Sequence, residues 1–110
     1  VLNALEKFKS LGSKISNLIF FLGPSIGDCC YEVQYDVADY FHENCKVKLS
    51  DKKYLINIKK QIMQDLIKYG VNEKQIKISE ICTFEDENCE SFRRDKENSG
   101  RMIALFGLKN

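Results

Sequence analysis

With 110 residues, 44% of them hydrophobic and 30% charged, the chain has the composition of one soluble globular domain or part of one, which excludes a disordered polymer. Lys and Arg total 17 against 16 acidic residues, a formal net charge of +1, so the clustered basic excess that grips nucleic acid is missing. No apolar run reaches the length of a membrane span and no charged, cleavable leader opens the chain, so a cytoplasmic protein that binds neither nucleic acid nor membrane is the expectation.

Val1, Leu5, Phe8 and Leu11 recur at helical spacing, and Gly12 follows as a stop. The pattern starts at Val1 without a capping residue, which reads as a boundary with structure missing upstream. Leu18-Ile19-Phe20-Phe21-Leu22 is a continuous apolar run, expected as a strand buried on both faces. Gly23-Pro24-Ser25-Ile26-Gly27 breaks it, after which Val33, Val37, Tyr40 and Phe41 resume helical spacing. The first unit therefore reads strand, tight loop, helix.

Leu49, Leu55 and Ile58 are interleaved with lysines across residues 46–60, which reads as a solvated helix face, with a polyanion site as the alternative. A charged patch, Ser50-Asp51-Lys52-Lys53, separates the first unit from a second helix. Asn57 is its N-cap, Ile58, Ile62, Leu66 and Tyr69 are its apolar stripe, and Gly70 is its left-handed terminator. Ile76, Ile78 and the Ile81/Cys82 pair predict a half-buried strand, because Lys77 and Ser79 alternate with the first two. After an acidic connection over residues 85–90, Met102-Ile103-Ala104-Leu105-Phe106 predicts a closing strand. Residues 1–110 are thus expected to form one α/β unit, a mixed sheet layered with helices and the C-terminal part of a larger α/β domain.

Two stretches can carry chemistry. The loop Gly23-Pro24-Ser25-Ile26-Gly27 leaves a strand and can aim backbone N–H groups at an anion, with the Ser25 hydroxyl as a further donor; a purely structural turn is the competing reading. Its glycine spacing matches neither a Walker loop nor a dinucleotide fingerprint. The second stretch holds Arg93, Arg94 and Arg101, whose forked guanidinium groups suit phosphate or carboxylate. Internal ion pairs with Asp95, Glu32 or Asp86 compete equally for the same arginines.

The five cysteines, Cys29, Cys30, Cys45, Cys82 and Cys89, show no CxxC spacing and form no zinc-ribbon pattern, so reduced thiols are expected. A helix dipole acting on Cys29 and Cys30 would activate them as nucleophiles. The single histidine, His42, is too distant in the chain to serve as a local base, so buried structural thiols are the preferred reading.

At these stretches the chain resembles the laccase-domain family, described first as multicopper polyphenol oxidases and later as purine nucleoside phosphorylases. The residues that carry the resemblance are Gly23-Pro24-Ser25-Ile26-Gly27, Cys29-Cys30-Tyr31-Glu32-Val33, Cys82-Thr83, Ser91-Phe92-Arg93-Arg94-Asp95 and Gly100-Arg101-Met102, in family order and spread over the whole chain. Asp28 stands where the family has proline, Phe92 where tyrosine is common, and Asn57 and Ile62 where an aspartate and an asparagine are usual.

The resemblance implies phosphorolysis of adenosine and inosine, accompanied by adenosine deamination, with zinc or copper held by two histidines and a cysteine in the N-terminal half. None of those ligands maps onto this chain. It is therefore expected to hold no cofactor and to be inactive alone, and to need the N-terminal part of its own fold as a partner. Purine nucleoside and phosphate are the implied ligands, with Ser25, Arg93, Arg94 and Arg101 as candidate phosphate contacts. Phenol oxidation is the older alternative; a truncated or degenerate binding module that keeps the fold is the non-catalytic one.

Overall fold

The computed structural model describes residues 1–105. Helix α1, Leu2–Ser10, buries Leu5 and ends beside Gly12, whose φ of 94° lies in the left-handed region. Strand β1, Phe20–Leu22, follows a single 3₁₀ turn over Ile15–Asn17. Strand β2, Glu32–Gln34, runs directly into the short helix α2, Tyr35–Ala38. Strands β3, Lys46–Lys48, and β4, Lys53–Ile56, precede the long helix α3, Ile58–Tyr69. Strand β5, Ile76–Ile78, and the short helix α4, Phe92–Asp95, complete the regular elements.

The strands form two separate ladders. β1 and β5 pair in parallel, Phe20 opposite Ile76 and Leu22 opposite Ile78, joined by a long crossover that contains α3. Ser25 and Cys82 make one further parallel bridge, with the register slipped by a residue. β2, β4 and β3 form an antiparallel ladder in that order. The chain is an α/β structure with both parallel and antiparallel pairing.

α3 ties the ladders together because its stripe at positions 58, 62 and 66 serves two cores. Ile58 packs against the cluster of Val33, Ala38 and Ile56. Ile62, Met63 and Leu66 pack with Leu5, Val71 and Ile76. The helix ends are closed as its sequence predicts. The Asn57 side chain accepts the Lys60 N–H at 3.0 Å, and Gly70, at φ 119°, ends the last turn. After α3, Gln75 donates through Nε2 to the Ile15 and Leu18 carbonyls at 2.8 and 2.7 Å, fixing the approach to β1.

Four expectations are corrected. The lysine-rich stretch is mostly a β-hairpin: Leu49 and Ser50 donate to the Lys53 carbonyl across a turn made by the charged patch, and Lys46 pairs with Ile56. Alternating Lys46-Val47-Lys48 has a period of two, which a helical template conceals. The helix expected after the glycine loop shrinks to the four residues of α2, because Glu32, Val33 and Gln34 are taken up by pairing with β4. β1 is not buried on both faces, since Ile19 and Phe21 are 79% and 68% exposed. Met102 to Leu105 lack regular structure, and Phe106, the last residue of the expected closing strand, lies outside the described residues.

Candidate functional site

The glycine loop and the arginine segment, far apart in sequence, meet at one corner because β1 and β5 are parallel neighbours. Leaving them side by side, the chain brings residues 23–30 against residues 82–95, and the Thr83 N–H donates to the Ser25 carbonyl at 3.1 Å. At Gly27 the two segments are in contact, since a Cβ there would touch Cys82 Cβ and Cys29 Sγ at 3.4 Å.

Arg94 organises this corner. Its Nη1 donates to the carbonyls of Thr83, Phe84 and Asp86 at 3.0 to 3.1 Å, and its Nη2 to the Cys89 carbonyl at 2.7 Å. Nε and Nη2 also reach the Asp95 carboxylate, at 2.8 Å for the shorter contact. The Arg94 guanidinium beside Asp95 holds its carboxyl below the usual carboxylate range. Of the two readings the sequence left open for this arginine, the observed contacts are the internal ones. A buried Ser91, whose side chain accepts the Arg94 N–H at 3.3 Å, caps α4.

Arg93 points elsewhere. Its guanidinium lies 5.1 Å from the centroid of the Tyr31 ring and donates to the Glu32 carbonyl at 2.8 Å. It lines an open depression of about 320 Å³ with Ile26, Tyr31, Thr83, Ser91 and Phe92. Glu90 is on the same wall, its carboxylate accepting the Gly100 N–H at 2.7 Å. Ser25 sits just behind Ile26, with its Oγ buried and without a hydrogen-bond partner among the described residues. Arg101 is exposed on irregular chain beyond Gly100 and is not part of this lining. The corner thus gathers Arg93, Arg94 and Ser25 and leaves Arg101 apart. Tyr31 is the partner that sequence spacing could not reveal, because it reaches Arg93 only through the fold.

Beside this depression, Cys29, Cys30 and Cys82 place their Sγ atoms within 4.8 Å of one another. The expectation of buried thiols fails for Cys29, which is exposed, and for Cys30, which is half-buried; Cys82 beside them is buried. The helix-dipole argument fails too, since β2 follows these cysteines. Burial pushes the Cys82 thiol up, but N–H groups of Gly27, Glu85 and Phe84 outweigh it and the net shift is downward. Cys29 is pushed well above the ordinary thiol value, first by its hydrogen bond with Cys30 and then by burial. Cys30 is lowered by that same bond yet raised on balance by burial and by Cys82. Of the three thiols, Cys82 is the one shifted toward easier ionisation, while Cys29 and Cys30 are shifted away from it.

A set of two histidines and one cysteine cannot be assembled here. The chain has one histidine, His42, which faces Asp65 at 3.3 Å. The two-histidine, one-cysteine centre implied by the family resemblance is not supplied by these residues, and no chemical step at this corner runs through that centre.

Residues 1–109 match the family described as multi-copper polyphenol oxidoreductase laccase. The purine nucleoside phosphorylase YlmD of Geobacillus stearothermophilus is 32% identical over 86% of this chain and 37% of its own length. The purine nucleoside phosphorylase YfiH of Shigella flexneri is 33% identical over 94% of this chain and 44% of its own. Among solved structures, the Bacillus licheniformis hypothetical protein YfiH superposes with a TM-score of 0.79 at 25% identity, covering 86% of this chain and 39% of that one. YlmD of G. stearothermophilus gives 0.66 at 31% identity, over 73% and 33%. The chain spans half or less of the length of these relatives.

Proposed function

The chain belongs to the multi-copper polyphenol oxidoreductase laccase family, and on that premise we propose that it is the C-terminal portion of a metal-dependent purine nucleoside phosphorylase acting on adenosine and inosine. The observation that carries this reading is Arg93, stacked on Tyr31 at the rim of an open depression, in a chain whose relatives bear the phosphorylase name. Phosphorolysis needs phosphate held against the anomeric carbon and charge stabilised on the departing base.

In this reading Arg93 receives the phosphate, and Arg101 approaches from the segment after Gly100 once nucleoside is bound. Glu90 offers an acceptor to a ribose hydroxyl. Arg94 acts at one remove: its fork is spent on four carbonyls and Asp95, so it shapes the loop that carries Arg93. The unpartnered Ser25 hydroxyl is a further donor for the anion. The zinc or copper, with the groups acting on the base and on adenosine deamination, belongs to the N-terminal part of the fold. That part also covers the apolar surface at Ile19 and Phe21. Residues 1–110 alone are accordingly inactive, and a cytoplasmic location fits substrates of this kind.

The test is phosphate-dependent release of hypoxanthine from inosine by a protein that joins this chain to an N-terminal part like that of its relatives. Arg93→Ala should raise the KM for phosphate about tenfold, the loss of one charge-assisted hydrogen-bonding group, with less effect on kcat. Absence of base release from any purine nucleoside would refute the activity. An unchanged KM for phosphate would remove Arg93 from it, and turnover by residues 1–110 alone would misplace the catalytic groups.

A further inference from the structure

The anion reading leaves the thiol cluster unused. Cys29 and Cys30 come from the loop after β1, and Cys82 from the segment after β5, joined to that loop by the Ser25–Cys82 bridge. All three are free thiols. Cys29 and Cys30 Sγ are 3.1 Å apart, well beyond the ~2.05 Å of a disulfide bond. A second donor type lies alongside, since Glu85 Oε1 is 3.7 Å from Cys30 Sγ.

We propose that Cys29, Cys30 and Cys82, with the Glu85 carboxylate, form a binding site for one zinc ion. A tetrahedral zinc with Zn–S bonds of ~2.3 Å sets its sulfurs about 3.8 Å apart, and a sulfur and a carboxylate oxygen about 3.6 Å apart. The Cys29 and Cys30 sulfurs, 3.1 Å apart, are closer than the first value, and all three sulfurs lie within 4.8 Å of one another. The Cys30–Glu85 distance of 3.7 Å meets the second. Rotation of Cys29 and Cys30 away from each other by less than an ångström of separation opens the cage.

Three thiolates and no imidazole select a thiophilic cation, and the carboxylate favours four-coordinate zinc(II) over copper(I). The ion enters from solvent past the exposed Cys29 and Glu85, and each thiol gives its proton to water as it binds. On the protein side, the Gly27 N–H at 3.2 Å from Cys82 Sγ is the outer hydrogen bond that orients a ligand sulfur. The loop backbone packs directly on the ligands, since a Cβ at Gly27 would touch Cys29 Sγ and Cys82 Cβ at 3.4 Å. Bound zinc would staple the loop of residues 23–30 to the segment that carries Arg94. The site rests on this geometry alone and stands whatever the substrate.

The reduced, metal-free 110-residue chain is titrated with Co²⁺ as a spectroscopic probe and then with Zn²⁺. Expected are one equivalent of tetrahedral cobalt with thiolate charge-transfer absorption, its displacement by Zn²⁺, and zinc protection of Cys29, Cys30 and Cys82 from alkylation. Cys82→Ser and Cys30→Ser should weaken binding tenfold or more, and Glu85→Gln several-fold. Cys45→Ser and Cys89→Ser should leave it unchanged, with all variants matched to the parent by circular dichroism before metal is added. Equal protection of all five cysteines, or equal loss with Cys89→Ser, would mean a pool of unorganised thiols and would overturn the site. So would six-coordinate cobalt without thiolate absorption. Tight copper(I) binding with no response to Zn²⁺ would overturn the zinc assignment.

Discussion

Around α3, order comes from apolar burial. Leu5, Leu66, Val71 and Ile76 are each less than a tenth exposed, and the helix between them is closed at both ends by Asn57 and Gly70. In the corner over residues 82–95 the helix α4 is a single turn long, and the segment is held by Arg94 donating to its carbonyls and by the Ser91 and Asp86 side chains accepting its N–H groups. The first region is stabilised by area removed from water, a term spread over many side chains. The second depends on one guanidinium that satisfies several carbonyls together, so it concentrates its order in one residue.

This difference has consequences that mutation separates. Leu66→Ala removes a side chain that is fully buried between α1, α3 and β5, and should cost about 2–5 kcal/mol. Chemical denaturation followed by circular dichroism would show it as a lowered midpoint for the whole chain. A loss confined to one segment would mean that the α3 core does not set global stability. Asn57→Ala should cost about 1 kcal/mol in the same measurement, because the Lys60 N–H loses its acceptor. Asn57→Asp should recover most of that; an alanine variant as stable as the parent would show the cap to be idle.

The same division explains what could be read from the sequence. Around α3 the signals are local: Asn57, the stripe at 58, 62 and 66, and Gly70 each act within a turn or two, and each has the structural role its position predicts. The hairpin of Lys46–Lys48 and Lys53–Ile56 was illegible because its strands are short and lysine-rich, and lysine spacing fits a helix face as well as a period of two. β2 was missed for a tertiary reason, since Glu32, Val33 and Gln34 are extended by pairing with β4 rather than by their own periodicity.

The corner was half legible. The motifs at Ser25 and at Arg93-Arg94 marked the right segments, but the choice between anion contact and internal pairing depends on where each guanidinium points. Neighbours in sequence, Arg93 and Arg94 diverge, one onto Tyr31 and one into a ring of carbonyls. The thiol cluster was hidden for a similar reason. Cys29 and Cys30 meet Cys82 only because β1 and β5 are parallel neighbours, a relation no CxxC-type spacing encodes.

The central claim, that one guanidinium orders the corner while burial orders the rest, is tested most directly by backbone hydrogen exchange on the Arg94→Lys variant. Lysine keeps the charge and loses the planar fork, so it cannot serve the Thr83, Phe84, Asp86 and Cys89 carbonyls at once. Amides across residues 82–95 should exchange at least tenfold faster than in the parent, while those of α3 and β5 keep their parent rates. Uniform acceleration through α3 would contradict the account, and so would a corner that exchanges as slowly with lysine as with arginine.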